Sequence, residues 1–241
     1  MTIAIMQPYI FPYIGYFQLI YASDVFVFYD DVNFINRGWI NRNRILLNGT
    51  DHMITVPCKD ASQNKLIKDI EVLNDPKAVN KLLTTIKTAY SKAPFFVSVF
   101  PIIEEVLATA MHPLLADVPT NIAGMAAHSV LKICDYLGIN RTFRYSSLEY
   151  NNRELKKADR LIDICHVEGI KHYINASGGK AIYTKEYYAE KGIELDFLNS
   201  QKYEYNQQNN TFVPWLSIID VLMYNSIDDI NNKILPLYHL D

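Results

Sequence analysis

The sequence lacks the features that mark several specialised classes of protein. It has only three cysteines in 241 residues, and the spacing of Cys58, Cys134 and Cys165 fits neither a metal site nor a set of disulfides. Its formal net charge of −3 gives no overall attraction to nucleic acid. No apolar run is as long as a membrane span, and the first residues lack the basic flank of a secretory signal. These absences predict a cytoplasmic protein with free thiols, without a nucleic-acid partner or a membrane span.

Two common kinds of active site are missing as well. The six histidines show no spacing typical of metal ligands, so none of them is predicted to bind a metal. No Gly-x-Ser-x-Gly segment indicates a hydrolase. Aromatic residues are abundant instead, with 17 tyrosines and 11 phenylalanines. Most are expected in the core, but residues 9–17 contain a cluster of them in a predicted loop.

The beginning of the chain indicates the fold class. The apolar run over residues 2–6 predicts a buried strand that stops before Pro8, because proline cannot continue a central strand. Residues 14–22 have the spacing of a helix, and residues 25–29 form a second β-rich run. This order predicts a βαβ unit with parallel strands. Ligands of such sheets bind at the carboxyl ends of the strands.

A hairpin and a group of helices interrupt the strand–helix alternation. Asn48-Gly49 is a strong turn signal between predicted strands over 40–47 and 52–57. Residues 75–137 are predicted to be a helical insertion. We therefore predict an α/β fold with a Rossmann-like parallel sheet, a hairpin excursion and a helical insertion, all in a single domain spanning residues 1–241.

Prolines define the predicted helix boundaries. Asp75-Pro76 begins the first helix of the insertion, and Pro101 is predicted to begin the second, over 101–111. The third is predicted over 119–137, and a C-terminal helix over about 215–224, after Pro214.

The loop from Gln7 to Tyr16 is the strongest candidate site. A loop that leaves a parallel strand and enters a helix presents backbone N–H groups to a phosphate. Gly15 would allow a nucleotide to approach the backbone, with Gln7 and Pro8 as further binding residues. Tyr13 and Tyr16 are the predicted catalytic residues of this loop, as hydrogen-bond donors that point into the cleft. The alternative is an aromatic loop that only packs in the core.

A pair of carboxylates follows the second predicted strand. Asp30 and Asp31 are predicted to bind Mg²⁺ or to act as a general base. Adjacent residues of a strand point in opposite directions, so we expect at most one of them to act. A turn cap is the alternative. Asn33 is predicted to orient a polar substrate.

Basic and polar residues lie on the approach to the hairpin. Alternation predicts Arg37, Trp39 and Asn41 on one face and Arg42 and Arg44 on the other. Arginine suits a diphosphate or a carboxylate, and tryptophan suits stacking on a base or a sugar. The alternative is a solvated edge strand.

Two further segments complete the predicted binding residues. A polar run after Pro57 supplies Lys59, Gln63 and Asn64 as partners for sugar hydroxyls or phosphates, with a mobile surface loop as the alternative. Ser177, Gly178 and Gly179 follow a predicted strand and precede a helix, where their backbone would cradle an anion. A simple tight turn would also account for the two glycines.

Several long strings resemble one protein family. The segments Met6–Gln18, Phe28–Phe34, Arg37–Asn43, Ser177–Gly179 and Trp215–Asp220 look like the WbqC-like family, and the resemblance covers nearly the whole chain. Members of that family are typically encoded in O-antigen and capsule polysaccharide loci. The resemblance therefore implies a role in the biosynthesis of a surface polysaccharide (lipopolysaccharide O-antigen or capsule).

A more distant similarity suggests a mechanism. Pro12–Tyr16 falls where HIGH-type nucleotidyltransferases and pantothenate synthetases carry a His-x-Gly-His motif, which implies a HIGH-nucleotidyltransferase-like fold. Tyr13 and Tyr16 replace both histidines, and the chain has no Lys-Met-Ser-Lys-Ser-like loop. Imidazoles stabilise a charged phosphate better than phenols do.

These resemblances imply a transferase or an ATP-dependent amide ligase. The favoured reaction joins an acyl or aminoacyl group, such as glycine, to the amine of a nucleotide-linked amino sugar. ATP and Mg²⁺ are the candidate cofactors if the enzyme activates a free acid, whereas an activated acyl donor would dispense with ATP. The alternatives are a nucleotidyltransferase that acts on a sugar phosphate and a non-catalytic sugar-nucleotide binding protein. The sequence leaves the nucleotide, the acyl group and the oligomeric state open.

Overall fold

The predicted βαβ unit lies at the centre of a six-stranded sheet. The computed structural model describes residues 1–108, 120–208 and 211–241. The strands are β1 (Thr2–Met6), β2 (Val25–Phe28), β3 (Arg42–Leu47), β4 (Thr50–Thr55), β5 (Thr142–Tyr145), β6 (His172–Ala176), β7 (Glu194–Ser200) and β8 (Tyr238–Leu240). The main sheet has the order β5-β2-β1-β6-β7-β8, in which only β8 runs antiparallel to its neighbour. Strands β3 and β4 form a separate antiparallel hairpin. The predicted α/β class, with its hairpin excursion, is confirmed.

Helices of very different length connect the strands. They are α1 (Ile14–Ala22), α2 (Pro76–Tyr90), α3 (Phe96–Ala108), α4 (Ile122–Leu137), α5 (Ser146–Glu149), α6 (Lys157–Val167), α7 (Lys185–Glu190), α8 (Ile218–Tyr224) and α9 (Ile227–Asp229). The carboxylate of Asp75 caps α2 by accepting from the backbone N–H groups of Lys77 and Ala78. Of the helices that the structure describes, none is both long and apolar enough to cross a membrane.

The boundary predicted at Pro101 is wrong. Helix α3 begins at Phe96, and Pro101 lies inside it. Proline removes the N–H that would bond to the carbonyl of Val97, but Val97 is 84% exposed, so solvent reaches this turn of the helix. The end predicted for this helix at residue 111 and the start predicted for the next at residue 119 lie outside the described residues.

The C-terminal helix is shorter than predicted. The backbone of Trp215 is left-handed, with φ of 59°, and a right-handed helix cannot include a residue in this conformation. Helix α8 therefore begins only at Ile218, with Ser217 as its cap. The sequence analysis did not predict β8, a three-residue strand on the outer edge of β7.

The central strand β1 separates two hydrophobic cores. Ile3 and Ile5 face one core together with Val25 and Val27 of β2, whereas Ala4 faces the other. A strand buried on both faces reads as a continuous apolar run, which is the pattern of residues 3–6. The ends of these strands position the site described next.

Candidate ligand-binding cleft

The main sheet has a topological switch point between β1 and β6. From β1 the chain continues to β2 on one side, and it returns to pair β6 with the other side of β1. Ligands of open α/β sheets bind at the carboxyl ends of the strands, at such a point. A cleft of about 460 Å³ opens here, and we call it the tyrosine cleft.

The tyrosine cleft brings the two strongest predicted segments together. Its lining includes seven of the predicted site residues, namely Gln7, Tyr13, Gly15, Tyr16, Ser177, Gly178 and Gly179. Pro8 is buried beside it and is not among the lining residues. Four further residues line the cleft that the sequence patterns did not indicate, namely Tyr9, Tyr29, Tyr173 and Asn175. A count of tyrosines near strand ends would have found most of them.

Buried polar side chains fix the conformation of the opening loop. Phe11 has a left-handed backbone with φ of 41°, which is uncommon for a bulky residue. Its N–H donates to Ser129 Oγ at 3.1 Å, and its carbonyl accepts from Asn43 Nδ2 at 2.8 Å and Ser217 Oγ at 2.7 Å. Strained residues that the surrounding structure holds in this way cluster at functional sites. The strain at Phe11 therefore supports the choice of this loop as a candidate site, and the three hydrogen bonds tie the loop to the core.

Gly15 makes a close contact within the protein itself. A Cβ added to Gly15 would come well within 3.0 Å of the Tyr13 ring and of Ser200 Oγ. The close approach that requires glycine is therefore made by the protein's own Tyr13 ring. Gly15 therefore positions Tyr13, and because Gly15 also lines the cleft, its predicted role in nucleotide binding stays a prediction.

The tyrosine hydroxyls of the loop are neutral hydrogen-bonding groups. Burial raises the pKa of Tyr13 and raises that of Tyr16 well above its ordinary value. Burial raises the pKa of Tyr9 to about 12, and the neighbouring Tyr13 hydroxyl contributes to this rise as the smaller cause. The hydroxyl of Tyr16 donates to the backbone carbonyl of Gln7 at 3.0 Å, so it is already engaged within the loop. Tyr13, which is only half-buried, is the better placed of the two predicted catalytic tyrosines.

Asn175 explains why one glycine of the second segment is needed. A Cβ added to Gly179 would come well within 3.0 Å of the Asn175 amide, whereas one added to Gly178 would meet nothing within 4 Å. The Asn175 Oδ1 atom accepts from the N–H of Ala176 at 2.8 Å, which fixes the orientation of the amide in the cleft. Lys180 pairs with Asp241 and does not line the cleft.

The chemistry of the tyrosine cleft is uncharged. Among the described residues that line it, none is Asp, Glu, Lys, Arg or His. The lining instead offers phenol, amide and hydroxyl groups together with aliphatic side chains. Such a surface suits the hydroxyls of a sugar, and any phosphate would have to be held by backbone N–H groups.

Asp30 and Asp31 lie outside the cleft, in a buried network. The expectation that they point in opposite directions is wrong, because β2 ends at Phe28 and both carboxylates face Ser146 Oγ. Asp30 also accepts from the backbone N–H and hydroxyl of Ser147, and Asp31 from Arg160 at 2.7 Å. Their predicted roles as base or metal ligand stay predictions. The network itself anchors α5 and α6 to the end of β2.

The other predicted binding residues are dispersed around the hairpin. The Arg42 side chain donates to the carbonyls of Gly38 and Arg37, and Asn41 Nδ2 donates to the carbonyl of Val56 at 2.9 Å. Lys59 forms an exposed ion pair with Glu71. Four predicted residues are exposed and line neither the tyrosine cleft nor the pocket described next: Asn33, Arg37, Gln63 and Asn64.

A second cavity adjoins the tyrosine cleft. It measures about 270 Å³ and is lined by Trp39, Trp215, Arg44, Asn43, Pro12, Tyr9 and Tyr13; we call it the tryptophan pocket. Tyr9 and Tyr13 line both cavities. The Arg44 guanidinium carbon lies 5.7 Å from the centroid of the Trp39 ring, so the prediction that these two residues are on opposite faces is wrong. Strand β3 begins only at Arg42, and Trp39 precedes it in a loop.

Three residues at the other end of the sheet have a ligand geometry that the sequence did not reveal. His172, Glu194 and Asp196 each offer one ligand atom within 4.8 Å of the others. However, the oxygens of Asp196 already contact Lys185 and His172, both at 2.8 Å. This group lies near the amino ends of β6 and β7, away from the tyrosine cleft.

The chain is similar to known proteins over most of its length. The model of the WbqC-like protein family matches residues 7–232. The Uncharacterized protein Rv1507c of Mycobacterium tuberculosis is 26% identical over 222 residues, which cover 91% of this chain and 92% of the relative. No solved structure matches the chain.

Proposed function

The chain belongs to the WbqC-like protein family, which suggests a role related to polysaccharide biosynthesis, and we propose that it acylates the amine of a nucleotide-linked amino sugar. One observation carries this proposal. The opening loop and the turn at 177–179, which are distant in sequence, meet in one cleft at the switch point of the sheet. The polar groups of that cleft are neutral donors and acceptors, which suit a hydroxylated ring.

The lining favours a donor that is already activated. ATP with Mg²⁺ does not fit the described lining, because the lining offers no carboxylate for the metal and no basic side chain for the phosphates. In the reaction that we propose, the sugar amine attacks the carbonyl carbon of an acyl thioester. The new C–N bond forms, the C–S bond breaks, and the amine proton leaves with the thiolate as a thiol. The cleft supports this step by binding and orienting the amine.

Tyr13 is the proposed catalytic residue. It lines the cleft, and its hydroxyl keeps its proton at neutral pH, because the ordinary tyrosine pKa of about 10 is already well above 7 and burial raises the pKa further. A neutral hydroxyl can donate a hydrogen bond to the oxyanion that develops on the attacked carbonyl. Gly15 and Ser200, which pack beside its ring, act as positioning residues.

The test is product formation. We would incubate the purified protein with a UDP- or dTDP-linked amino sugar and an acyl thioester, and follow the mass of the nucleotide sugar. The expected product is heavier by one acyl group, and Tyr13→Phe should form it at least about tenfold more slowly. Product formation only from the free acid with ATP and Mg²⁺ would overturn the choice of donor.

A non-catalytic sugar-nucleotide binding protein is the second candidate. The observation that favours it is the same uncharged lining, which offers no general base. This candidate predicts calorimetric binding of a nucleotide sugar without turnover under any combination of donors. The nucleotidyltransferase alternative gains no support, since the described lining has no carboxylate to hold the metal of phosphoryl chemistry.

A further inference from the structure

The tryptophan pocket collects both tryptophans of the chain in one small cavity. Trp39 comes from the loop before β3 and Trp215 from the segment before α8, and each is 41% exposed. Single exposed apolar side chains need no explanation, but two indole rings that line the same cavity form a defined surface. Tyr13 meets Trp215 edge to face, with ring centroids 6.2 Å apart.

The backbone around Trp215 is held in an unfavourable conformation. Its φ of 59° costs energy for a residue with a bulky side chain. The next turn is tied to the hairpin, because the N–H of Ser217 donates to the carbonyl of Arg44 at 2.8 Å. The molecule therefore maintains a strained residue at the position that directs an indole ring into the pocket.

Arg44 gives this aromatic pocket an edge that can form hydrogen bonds. Its guanidinium packs on the Trp39 ring, and Asp51 neutralises its charge through a contact of 3.2 Å with Nη1. Nη2 makes only a 3.4 Å contact with the carbonyl of Trp215, and Nε has no hydrogen-bond partner among the described residues. A neutralised arginine with spare donors suits the carbonyl or ring nitrogen of a neutral ligand better than it suits a phosphate.

The two cavities suit different parts of a ligand. The Asn43 amide in the tryptophan pocket already donates to the carbonyls of Ile10 and Phe11, so a sugar there would leave most hydroxyls without partners. A planar heterocycle buries its faces against aromatic walls and needs partners only at its edge. The tyrosine cleft, by contrast, offers several phenol and amide groups.

We propose that the tryptophan pocket is the nucleobase subsite for the nucleotide-linked sugar, an inference that rests on the function proposed above. The base stacks against Trp39 or Trp215, and the sugar lies in the tyrosine cleft on the other side of Tyr9 and Tyr13. This arrangement makes the nucleotide the anchor of the substrate and brings the sugar amine to Tyr13.

Intrinsic fluorescence tests the proposal, because every tryptophan of the chain is in the pocket. We would titrate the protein with UMP and dTMP, and in parallel with inorganic pyrophosphate and with a free amino sugar. A mononucleotide should quench the emission in a saturable way, and pyrophosphate and the free sugar should not. Trp39→Phe and Trp215→Phe each leave one reporter and show which ring contacts the base.

Affinity provides the second measurement. Trp39→Ala should weaken binding of the quenching mononucleotide at least about tenfold. Tyr187→Ala, an exposed aromatic residue outside both cavities, should leave it unchanged.

The failures of the two proposals give different results. Quenching by the free sugar and not by either nucleotide would make the pocket a sugar subsite and overturn the inference. If a nucleotide sugar binds by calorimetry without changing the emission, the base lies elsewhere and the proposed function stands. If the protein acylates an amine but binds no nucleotide, the subsite is wrong and so is the nucleotide part of the proposed substrate.

Discussion

The ring of Tyr13 occupies the space in which any residue other than glycine at position 15 would place its Cβ. The two residues lie at the start of α1, where the strained opening loop enters the helix. A residue without a side chain therefore determines where the candidate catalytic hydroxyl lies. This relationship gives the first prediction.

Gly15→Ala should displace Tyr13. Because the added methyl group overlaps the ring, we expect the variant to lose about 1–3 kcal/mol of stability and most of its nucleotide-sugar affinity. Gly178→Ala is the matched control for stability alone, since its Cβ would meet nothing within 4 Å but the residue lines the cleft. Urea unfolding measures the stability of both variants and calorimetry the affinity of Gly15→Ala, and equal losses of stability in the two variants would contradict the packing argument.

Tyr13→Phe should mainly lower turnover, whereas Tyr16→Phe should mainly lower stability. Tyr16 is fully enclosed and donates to the carbonyl of Gln7, so removal of its hydroxyl should cost about 1–3 kcal/mol of stability. Tyr13→Phe should lower turnover by at least about tenfold and change the melting temperature little. A loss of stability in the Tyr13 variant with turnover intact would show that its role is structural.

The buried ion pair between Arg160 and Asp31 should contribute more to the free energy of unfolding than the ion pair that Asp31 forms with the exposed Arg153. The Asp31 side chain is fully enclosed, so Arg160→Met leaves its charge without its close partner and should cost about 3–5 kcal/mol. Arg153 lies 3.8 Å from the same carboxylate but is largely exposed. We expect Arg153→Ala to cost less than about 1 kcal/mol in urea unfolding. Equal losses would show that the burial of Arg160 is not what matters.

Asp220 should make stability depend on pH in an unusual direction. It is fully buried, and it accepts hydrogen bonds from Tyr90 at 2.9 Å, Tyr205 at 2.6 Å and Gln207 at 2.7 Å. Burial raises its pKa above the ordinary 3.8. A carboxyl whose pKa is raised on folding contributes stability at low pH, and this contribution is lost as the pH rises through the raised value.

Asp220→Asn tests this sign. The amide replaces one acceptor oxygen with a donor where Tyr90, Tyr205 and Gln207 all donate, so the variant should lose about 1–3 kcal/mol. The difference in the free energy of unfolding between the natural protein and this less stable variant should widen as the pH falls from neutral towards 4. Urea unfolding at a series of pH values measures the difference, with the exposed Asp135→Asn as control. A deficit that narrows on acidification would contradict the raised pKa.

Local patterns predicted those elements whose stability is local. The apolar run of β1, the Asn48-Gly49 turn and the Asp75 cap all depend on a few neighbouring residues, and the structure contains each of them. Pro101 misled the prediction, because an exposed carbonyl tolerates the loss of its partner inside a helix. Proline indicates a missing donor and does not by itself mark a helix boundary.

Long-range contacts explain what the sequence did not reveal about the site. The left-handed backbones of Phe11 and Trp215 are stabilised by residues far along the chain, which no local pattern reports. In the same way, alternation placed Asp30 and Asp31 on opposite faces only because the strand was expected to continue past Phe28. The segments that form the cleft could be predicted. The position of the two tryptophans beside that cleft could not.

The hydrogen bond from Ser217 to the carbonyl of Phe11 joins residues 206 positions apart, so the opening loop must wait for its partner during synthesis. At typical translation rates that delay is about 10–40 s. Strand β1 likewise cannot complete its pairing until β6 is synthesised, because β6 is one of its two neighbours. Nascent chains released before residue 217 should therefore show protease-sensitive opening loops, which limited proteolysis of truncated chains would reveal. Assembly of the cleft is consequently a late event of folding, because the opening loop leaves the ribosome long before Ser217 does.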